Sequence, residues 1–313
     1  MTAIQTSGLT KRFGDVVAVR DLDLTVEEGE IFGFLGPNGC GKSTTINMLL
    51  DYVRPTEGTA TVLGRDAQAD TLAIHERIGI LPDAFDLYDR LSGRKHVQFA
   101  IDSKRSEESV SEILDRVGLS AEDAERPAGD YSKGMRQRLA LGMALVGDPD
   151  LLILDEPSSG LDPNGVSEMR DIIRSQADRG TAVFFSSHIL SQVEAVCDRV
   201  AIMQSGELVA VDTIEGLRQA NGGGARMTLT VDAVPDLDFA DVPGVTDATV
   251  DGNRITLALS DDGAKAPAIN HVEDAGARLT DIETSESSLE DLFTTYTSGS
   301  GADRGGEPQE VDA

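Results

Sequence analysis

The stretch GPNGCGKST, from Gly36 to Thr44, decides the fold of this chain. It fits the pattern G-x-x-x-x-G-K-[ST], in which glycines let the backbone curl so that several N–H groups converge on one anion. Lys42 can then reach the β- and γ-phosphates of a nucleotide, and the Ser43 hydroxyl can take a Mg²⁺ position. The pattern therefore predicts a nucleotide-binding loop.

The segments on either side of this loop favour the same interpretation. Residues 30–35 read as a short buried strand, and residues 43–50 read as a helix whose N-terminus would add its positive dipole end to the site. From the composition of this chain, the chance of one accidental match to the pattern is roughly 1%. With a strand before the loop and a helix after it, nucleotide binding is the favoured interpretation.

Length and apolar content bound the architecture. The chain has 313 residues, which predicts two domains, and 40% of them are hydrophobic, enough for proper cores. No stretch approaches the run of about 18 apolar residues that spans a membrane, and the first residues carry no signal segment. We expect a soluble, cytoplasmic chain, whose membrane role, if any, is exercised through a partner.

The two cysteines favour a reducing compartment. Cys40 lies inside the glycine-rich loop and Cys197 in a run that reads as an apolar helix, so no disulfide is expected between them. Cys40 fits either a redox switch or a small residue that the loop tolerates. The second interpretation is the simpler one.

The charge balance is strongly acidic. There are 55 Asp and Glu residues against 27 Lys and Arg residues, and the formal net charge is −28. Such a lysine-poor, tryptophan-free composition resembles proteins of salt-accumulating cells, where concentrated cations screen self-repulsion. It argues against nonspecific nucleic-acid binding, which needs basic surface. We interpret the acidity as a feature of solvation rather than of the reaction.

Short apolar runs between glycine turns predict the β-strands in the first half of the chain. Strands are expected over residues 4–10, 16–23, 30–35, 58–64 and 78–81. Residues 91–118 have helical apolar spacing and predict a helical insert between β-rich pieces. Phe13, in the first turn, is open to two interpretations: a half-buried loop aromatic, or a flat face on which an adenine ring stacks.

Carboxylates follow a buried strand in the second half. The run LLILD ends on Asp155 and is followed by Glu156, at the carboxyl end where parallel sheets place ligand chemistry. Asp155 can hold Mg²⁺ through water, and Glu156 can take a proton from attacking water. Without Lys42, an acidic turn would be the simpler interpretation. His188 follows the strand 181–187 and is expected at the same edge.

A glycine-rich linker at 221–225 separates two regions that differ in sequence composition. Residues 1–220 predict the first domain. Residues 226–297 predict a small α+β domain, and residues 298–313 an acidic, disordered tail. From residue 221 onward there are 19 acidic and 5 basic residues, so this region holds half of the net charge. Further helices and strands are expected over 132–146, 166–177, 200–203, 208–211, 213–220, 227–231, 245–250, 255–259, 264–276, 278–283 and 287–296.

The order of these motifs resembles the nucleotide-binding subunit of ATP-binding-cassette (ABC) transporters across residues 2–220. The glycine loop is followed by the helical insert, YSKGM at 131–135, the strand ending in Asp155, SGLD at 159–162, and His188. The resemblance implies an α/β P-loop ABC ATPase core, a mixed sheet with an antiparallel β part and a helical insert at about 84–147. The run SLEDLF at 288–293 resembles the C-terminal accessory domain of export-type subunits.

The family's residue roles, carried onto this sequence, imply one shared ATP site. Phe13 would stack on adenine, Ser43 and Asp155 would hold Mg²⁺, Glu156 would be the general base, and His188 would contact the γ-phosphate. The phosphates would be cradled by Gly36, Pro37, Asn38, Gly39, Cys40, Gly41, Lys42, Ser43 and Thr44. The γ-phosphate of the ATP bound to a second subunit would be capped by Ser132 and Gly134, with Asp162 tying the two sites together.

Two positions depart from the family pattern. The run YSKGM at 131–135 takes the place of the family's LSGGQ-type signature, and in it Lys133 and Met135 replace glycine and glutamine. The usual glutamine between the sheet and the helical insert appears as Asp83. An aspartate keeps an oxygen for metal or water, so Asp83 is a further candidate for catalysis and metal binding, and its junction is expected to face the membrane partner.

The resemblance implies an ATP-hydrolysing subunit that dimerises, with itself or with a paralogous ATPase subunit, around two Mg-ATP. It would drive transport, with export expected, by a separate integral-membrane permease that holds it at the inner face of the cell membrane. The alternative is a soluble ABC ATPase acting on ribosomes or nucleic acid, which the charge disfavours. A non-hydrolysing binding module would lack Lys42, Asp155, Glu156 or His188, and all four are present. The sequence does not name the cargo.

Overall fold

The computed structural model describes residues 1–220, 226–233, 237–239, 242–260 and 262–285. The chain divides into two compact units, Met1–Val211 and a second that begins at Asp212. The helix expected at 213–220 therefore belongs to the second unit and not to the first. The linker, the helix expected at 287–296 and the tail lie outside the described residues.

A four-stranded antiparallel sheet opens the first unit. Its strands β1 (Thr2–Phe13), β2 (Val16–Glu27), β4 (Glu57–Val62) and β5 (Arg65–Asp66) lie in the order β2-β1-β4-β5. Buried and exposed residues alternate along β2 because one face covers the core and the other meets solvent. The predicted strands 4–10 and 16–23 are confirmed. They run further than the apolar alternation indicates because β1 and β2 continue pairing through several irregular register steps, up to the turn at Gly14.

A six-stranded sheet forms the centre of the unit. Its strands are β3 (Ile31–Leu35), β6 (Ile78–Leu81), β7 (Leu151–Asp155), β8 (Ala182–Ser187), β9 (Arg199–Gln204) and β10 (Glu207–Thr213), in the order β10-β9-β3-β8-β7-β6. The pairs β9–β3, β3–β8, β8–β7 and β7–β6 are parallel. Leu35 pairs with Ser187, and Asp155 with Ser186, so the residues after β3, β7 and β8 meet at one edge.

The helices of the first unit cover this sheet and build the insert. The insert holds α3 (Gly93–Lys104), α4 (Val110–Arg116), α5 (Ala121–Glu125) and α6 (Lys133–Leu145); the others are α1 (Lys42–Leu49), α2 (Thr71–His75), α7 (Pro163–Ala177) and α8 (Leu190–Glu194). The prediction that Cys197 lies in a helix is wrong. The α8 helix stops at Glu194, and Cys197 lies in the turn before β9.

The helical insert is anchored to the edge strand β6 by Lys104. The Lys104 ammonium donates hydrogen bonds to the carbonyl oxygens of His75 (2.6 Å) and Ile78 (2.7 Å). Burial lowers the pKa of Lys104, and the nearby Glu76 carboxylate partly opposes that effect. Close packing of α6 on β6 also depends on Gly79, because an added Cβ there would collide with the carbonyl of Ala144.

The second unit contains the helix α9 (Ile214–Ala220) and a small α+β fold. Its strands β11 (Arg226–Val231), β12 (Val245–Asp251), β13 (Arg254–Leu259) and β14 (Leu279–Ser285) form an antiparallel sheet in the order β12-β13-β11-β14. The helix α10 (Lys265–Asp274) contributes Ala268 and Val272 to a core with the buried faces of β11 and β13. Within the described residues, no helix has the length and apolar character needed to cross a membrane.

Candidate nucleotide-binding site

The predicted nucleotide-binding loop joins β3 to α1. Gly39 and Gly41 adopt positive φ angles of 82° and 117°, a region that favours glycine. An added Cβ at Gly41 would lie 2.5 Å from the Ala18 carbonyl oxygen, and one at Gly36 would collide with the Cys40 Sγ. The glycines are therefore needed both for the turn and for the close approach of neighbouring chain segments.

Lys42, the first residue of α1, folds its side chain back over the loop. Only 6% of the residue is exposed, and Nζ donates a hydrogen bond to the Gly36 carbonyl oxygen at 2.7 Å. The Glu156 Oε1 atom lies 3.7 Å from Nζ. The ammonium thus lies inside the cradle where an anion would need it.

Asp155 is the last residue of β7, and Glu156 follows it, as expected. Asp155 is buried, and its Oδ1 accepts a hydrogen bond from the Ser186 hydroxyl. Glu156 has a left-handed backbone (φ 50°), and its N–H donates to both the carbonyl and the hydroxyl oxygen of Ser186, each at 3.2 Å. Ser186, on the neighbouring strand β8, therefore fixes both carboxylate residues, and the sequence analysis missed it.

Glu156 also contacts His188. The Nδ1 atom of His188 lies 2.9 Å from the Glu156 Oε2 atom, while the imidazole remains about half exposed. The other carboxylate oxygen, Oε1, is buried and makes no hydrogen bond. The Lys42 ammonium lies 3.7 Å from it, beyond hydrogen-bond distance, so Glu156 Oε1 has room for a hydrogen bond from a ligand or water.

A cavity of about 170 Å³ joins these residues. The lining residues come from β2, the glycine loop, α1 and the ends of β6 and β7: Ala18, Asn38, Gly39, Gly41, Lys42, Ser43, Thr44, Asp83, Asp155 and Glu156. Asp83 thus shares the cavity with the loop and the carboxylates. Ala18 was missed, since a lone alanine in a strand gives no sequence signal.

Phe13 lies at the end of β1 and does not line this cavity. Its ring is accessible, with 51% of the residue exposed, and the Lys11 ammonium lies 4.9 Å from the ring centroid. A cation over an aromatic face is a favourable contact, so one face of the ring already has a partner. Adenine stacking stays a prediction for the other face.

Cys40 packs inside the loop. The residue is 4% exposed, and burial raises the pKa of its thiol despite the opposing charge of Lys42. A thiol with a raised pKa is a poor nucleophile. These properties support the interpretation of Cys40 as a small packing residue.

Ser132, Gly134 and Asp162 do not line the cavity. The Ser132 hydroxyl accepts a hydrogen bond from the Met135 N–H at 3.2 Å and caps α6, as predicted. The Asp162 carboxylate caps α7 by accepting from the Gly165 N–H at 2.7 Å. Within this subunit both side chains cap helices, and their contact with the nucleotide of a second subunit stays a prediction.

The donor set fits Mg²⁺ bound together with phosphates. Among the described residues no group of three or more His, Cys, Asp or Glu side chains could hold a metal ion alone. Mg²⁺ commonly takes only one or two protein ligands beside substrate phosphates and waters. The Ser43 hydroxyl and the Asp155 and Asp83 carboxylates at the cavity supply oxygen ligands of that kind.

Comparisons with known proteins agree with this geometry. Residues 19–159 match the family model described as ABC transporter. The bacitracin transport ATP-binding protein BcrA of Enterococcus faecalis is 33% identical over 95% of this chain and 97% of its own length. The daunorubicin resistance ATP-binding protein DrrA3 of Streptomyces coeruleorubidus is 32% identical over 95% of this chain and 96% of its own.

The fold is also shared with solved cassettes. A dimeric ATP-binding cassette in a post-hydrolysis state, bound to ADP and Pi, superposes with a TM-score of 0.62 at 23% identity, covering 67% of this chain and 98% of that one. The match is to the cassette core, with its phosphate loop between a buried strand and a helix. The chain therefore belongs to the ATP-binding subunits of ABC transporters, and its core is an ABC ATPase.

Proposed function

We propose that two copies of the cassette close around two Mg-ATP and that their hydrolysis drives export by a separate integral-membrane permease. The observation that carries this proposal is the single cavity in which the glycine loop, Lys42, Asp155 and Glu156 meet. The partner cassette would be a second copy of this chain or a paralogous ATPase subunit. The subunit would then lie at the cytoplasmic face of the membrane, held there by the permease.

The hydrolytic step assigns one task to each side chain. Lys42 would leave the Gly36 carbonyl and neutralise charge on the β- and γ-phosphates. Bound Mg²⁺, held by Ser43 and Asp155, would supply charge neutralisation at the phosphates. Glu156, through Oε1, which makes no hydrogen bond, would accept the proton of the attacking water. His188, at 2.9 Å from Oε2, would orient that carboxylate and contact the γ-phosphate.

Asp83 would replace the usual glutamine of this family. It is exposed, follows β6 and lines the same cavity as Ser43 and Asp155. Its carboxylate would take a water or a metal position when the nucleotide is bound. Because Asp83 begins the path from β6 into the helical insert, it would also connect the site to the permease.

A second cavity supports the position of that permease. About 340 Å³ in volume, it lies between β6 and the helices α3 and α6, and most of its lining is apolar. Phe99, on its rim, is 63% exposed, and Phe85 and Leu87 also line it. An exposed aromatic side chain such as Phe99 beside an apolar groove is typical of protein interfaces. We propose that an apolar segment of the permease binds here.

Export is proposed from the printed functions of the relatives. BcrA serves bacitracin transport and DrrA3 daunorubicin resistance, and each aligns over nearly all of this chain. Removal of a toxic compound from the cell is the transport direction that fits such names. The net charge of −28 gives no support to the alternative of an ABC ATPase acting on ribosomes or nucleic acid.

The first test is the molar mass of Glu156→Gln by light scattering in molar KCl, with and without Mg-ATP. Glutamine keeps the shape of glutamate but cannot take the proton, so ATP should bind, turnover should fall by about 100-fold or more, and a dimer should accumulate. Lys42→Ala is the control and should show neither ATP binding nor the mass change. Normal turnover in Glu156→Gln would refute the assignment of Glu156 as the general base. Failure of the unsubstituted chain to bind ATP would refute the whole proposal.

A further inference from the structure

The first turns of α6 pack against loop 157–161, which follows Asp155 and Glu156. Gln137, which is 5% exposed, donates a hydrogen bond from Nε2 to the carbonyl oxygen of Pro157 at 2.7 Å. An added Cβ on Gly134 would lie 3.8 Å from the Leu161 Cδ2 atom, an ordinary contact. Residues 133 and 134 lie four and three positions before 137, so both neighbour Gln137 on the helix surface that meets this loop.

Lys133 completes this contact by lying across Gly160. An added Cβ on Gly160 would be 2.6 Å from Lys133 Cε and 2.9 Å from Cδ, and it would also collide with Nζ. Gly160 has a positive φ of 68°. The alkyl stem of Lys133 therefore rests against bare backbone, at a place where a side chain on residue 160 would push it away.

The contact is made by packing and not by charge pairing. Lys133 forms no hydrogen bond or ion pair with any residue in the part of the chain that the structure describes. This is notable in a protein with 55 acidic residues, where a surface lysine readily finds a carboxylate. Long lysine stems commonly cover neighbouring surface while the ammonium stays in water.

The loop between Glu156 and Gly160 is short and internally bonded. The Ser159 N–H donates to the Glu156 carbonyl oxygen at 3.0 Å, and the Leu161 N–H donates to that of Ser158 at 3.1 Å. A displacement of Gly160 is therefore carried back through two tight turns to Glu156. The same helix begins at Ser132, the residue expected to face the partner's nucleotide.

We propose that Lys133 is a positioning residue for ATP hydrolysis: its stem holds loop 157–161 on α6, so that movement of the signature turn moves Glu156. The inference rests on the proposed function. It makes the lysine that replaces the family's glycine a link between the nucleotide bound to the partner subunit and the general base of its own chain. Its effect comes from the stem, and the charge is not needed.

The test is a double-mutant cycle on the full chain with Lys133→Ala and Gly160→Ala. Lys133→Ala should lower kcat by about threefold to tenfold and leave KM for ATP within about twofold, since Lys133 does not line its own subunit's cavity. Gly160→Ala should lower kcat by a smaller factor in the Lys133→Ala background, because the stem that its methyl group would displace is already absent. The backbone strain of alanine at positive φ is common to both backgrounds and cancels. Strictly additive effects would overturn the inference.

A matched variant separates stem from charge. Lys133→Met keeps most of the stem and removes the ammonium, so its kcat should stay near that of the unsubstituted chain. A Lys133→Met variant as slow as Lys133→Ala would refute the packing role in favour of a charge effect.

Hydrogen exchange gives a readout that does not depend on turnover. Amides of residues 158–161 should exchange faster in Lys133→Ala than in Lys133→Met, with no change in the sheet. Equal exchange in the two variants would overturn the inference even if ATP is hydrolysed. A chain that bound no ATP but showed the exchange difference would refute the proposed function and leave the Lys133 contact standing.

Discussion

At the scale of single residues, Ser186 holds the two carboxylate residues of the site in place through its hydrogen bonds. Its hydroxyl donates to Asp155 and accepts from the Glu156 N–H, while its carbonyl accepts from that same N–H. One buried serine thus holds a metal-binding candidate and a general-base candidate in a fixed relation. It also joins the carboxyl ends of β7 and β8, where a slip of register would take both carboxylate residues away from Ser186.

A residue-scale prediction concerns the thiol of Cys40. Since burial raises its pKa, the thiolate fraction at pH 8 is below that of a free thiol, and alkylation should be slow. The rate should rise as pH increases through the raised pKa. Alkylation is measured by mass spectrometry in a Cys197→Ser variant, because Cys197 is buried too and the pKa of its thiol is also raised by burial.

Denaturant is the control for this experiment. In urea, Cys40 should react like a free thiol, since both its burial and its neighbours are lost. A native-state rate equal to the denatured rate would show that the loop is open and that Cys40 is available as a redox switch.

At the scale of elements, α6 lies close against the edge strand β6 because Gly79 has no side chain. An added Cβ there would collide with the Ala144 carbonyl and lie 2.9 Å from Leu152 Cδ1. Backbone carbonyls cannot move aside as a flexible side chain can, so the helix itself would have to shift. This contact sets the distance between the sheet and the helical insert.

Gly79→Ala should therefore destabilise the first unit by about 1–3 kcal/mol, the usual cost of overpacking. Urea unfolding followed by circular dichroism measures the change. Gly134→Ala is the matched control, because it makes the same substitution in α6 with contacts no closer than 3.8 Å and should be neutral or slightly stabilising. Equal unfolding midpoints for the two variants would show that the insert can slide on β6 without cost.

The elements that sequence reasoning found share one property: they are long enough to show a period or are bounded by glycine turns. The strand ending in Asp155 and the helix after Ser132 were predicted on such signals. The helix Thr71–His75 was missed, since five residues make fewer than two turns and give no helical period. The helix Leu190–Glu194 ends before Cys197, where a helical run was expected. Strand ends were underestimated where pairing continues past the apolar alternation.

Lys42, Asp155 and Glu156 were brought together by their motifs, and Asp83 by the family resemblance; in the structure all four line one cavity. Ala18 and Ser186 could not be found in this way. Their contacts cross between strands that are distant in sequence, and neither residue type carries a chemical signal of its own. The roles of Phe13, Ser132, Gly134 and Asp162 depend on a nucleotide or a second subunit and stay predictions.

At the scale of the whole molecule, the net charge of −28 dominates. Like charges repel over about 10 Å at 0.1 M salt but only about 3 Å at 1 M. We propose that the protein is adapted to concentrated salt. The folded state, which brings these charges together, should gain more from screening than the extended chain does.

The melting temperature should therefore rise between 0.1 and 2 M KCl, with most of the rise below about 1 M, where the screening length changes most. Differential scanning calorimetry on the full chain measures it. A nonionic osmolyte at equal osmolality is the control and should give a smaller rise, because it leaves the charges unscreened. A flat or falling melting temperature in KCl would contradict the adaptation to salt.

The bond from Lys104 to the carbonyl of Ile78 has a consequence for solubility. The strand Ile78–Leu81 is an end strand of its sheet, and a bare end strand is a template on which another molecule can add its own strand. Concentrated salt removes the mutual repulsion that keeps such acidic molecules apart. The hydrogen bond from the tethered ammonium occupies one carbonyl of this strand within each molecule, so that carbonyl stays unavailable to an added strand where repulsion between molecules has been lost.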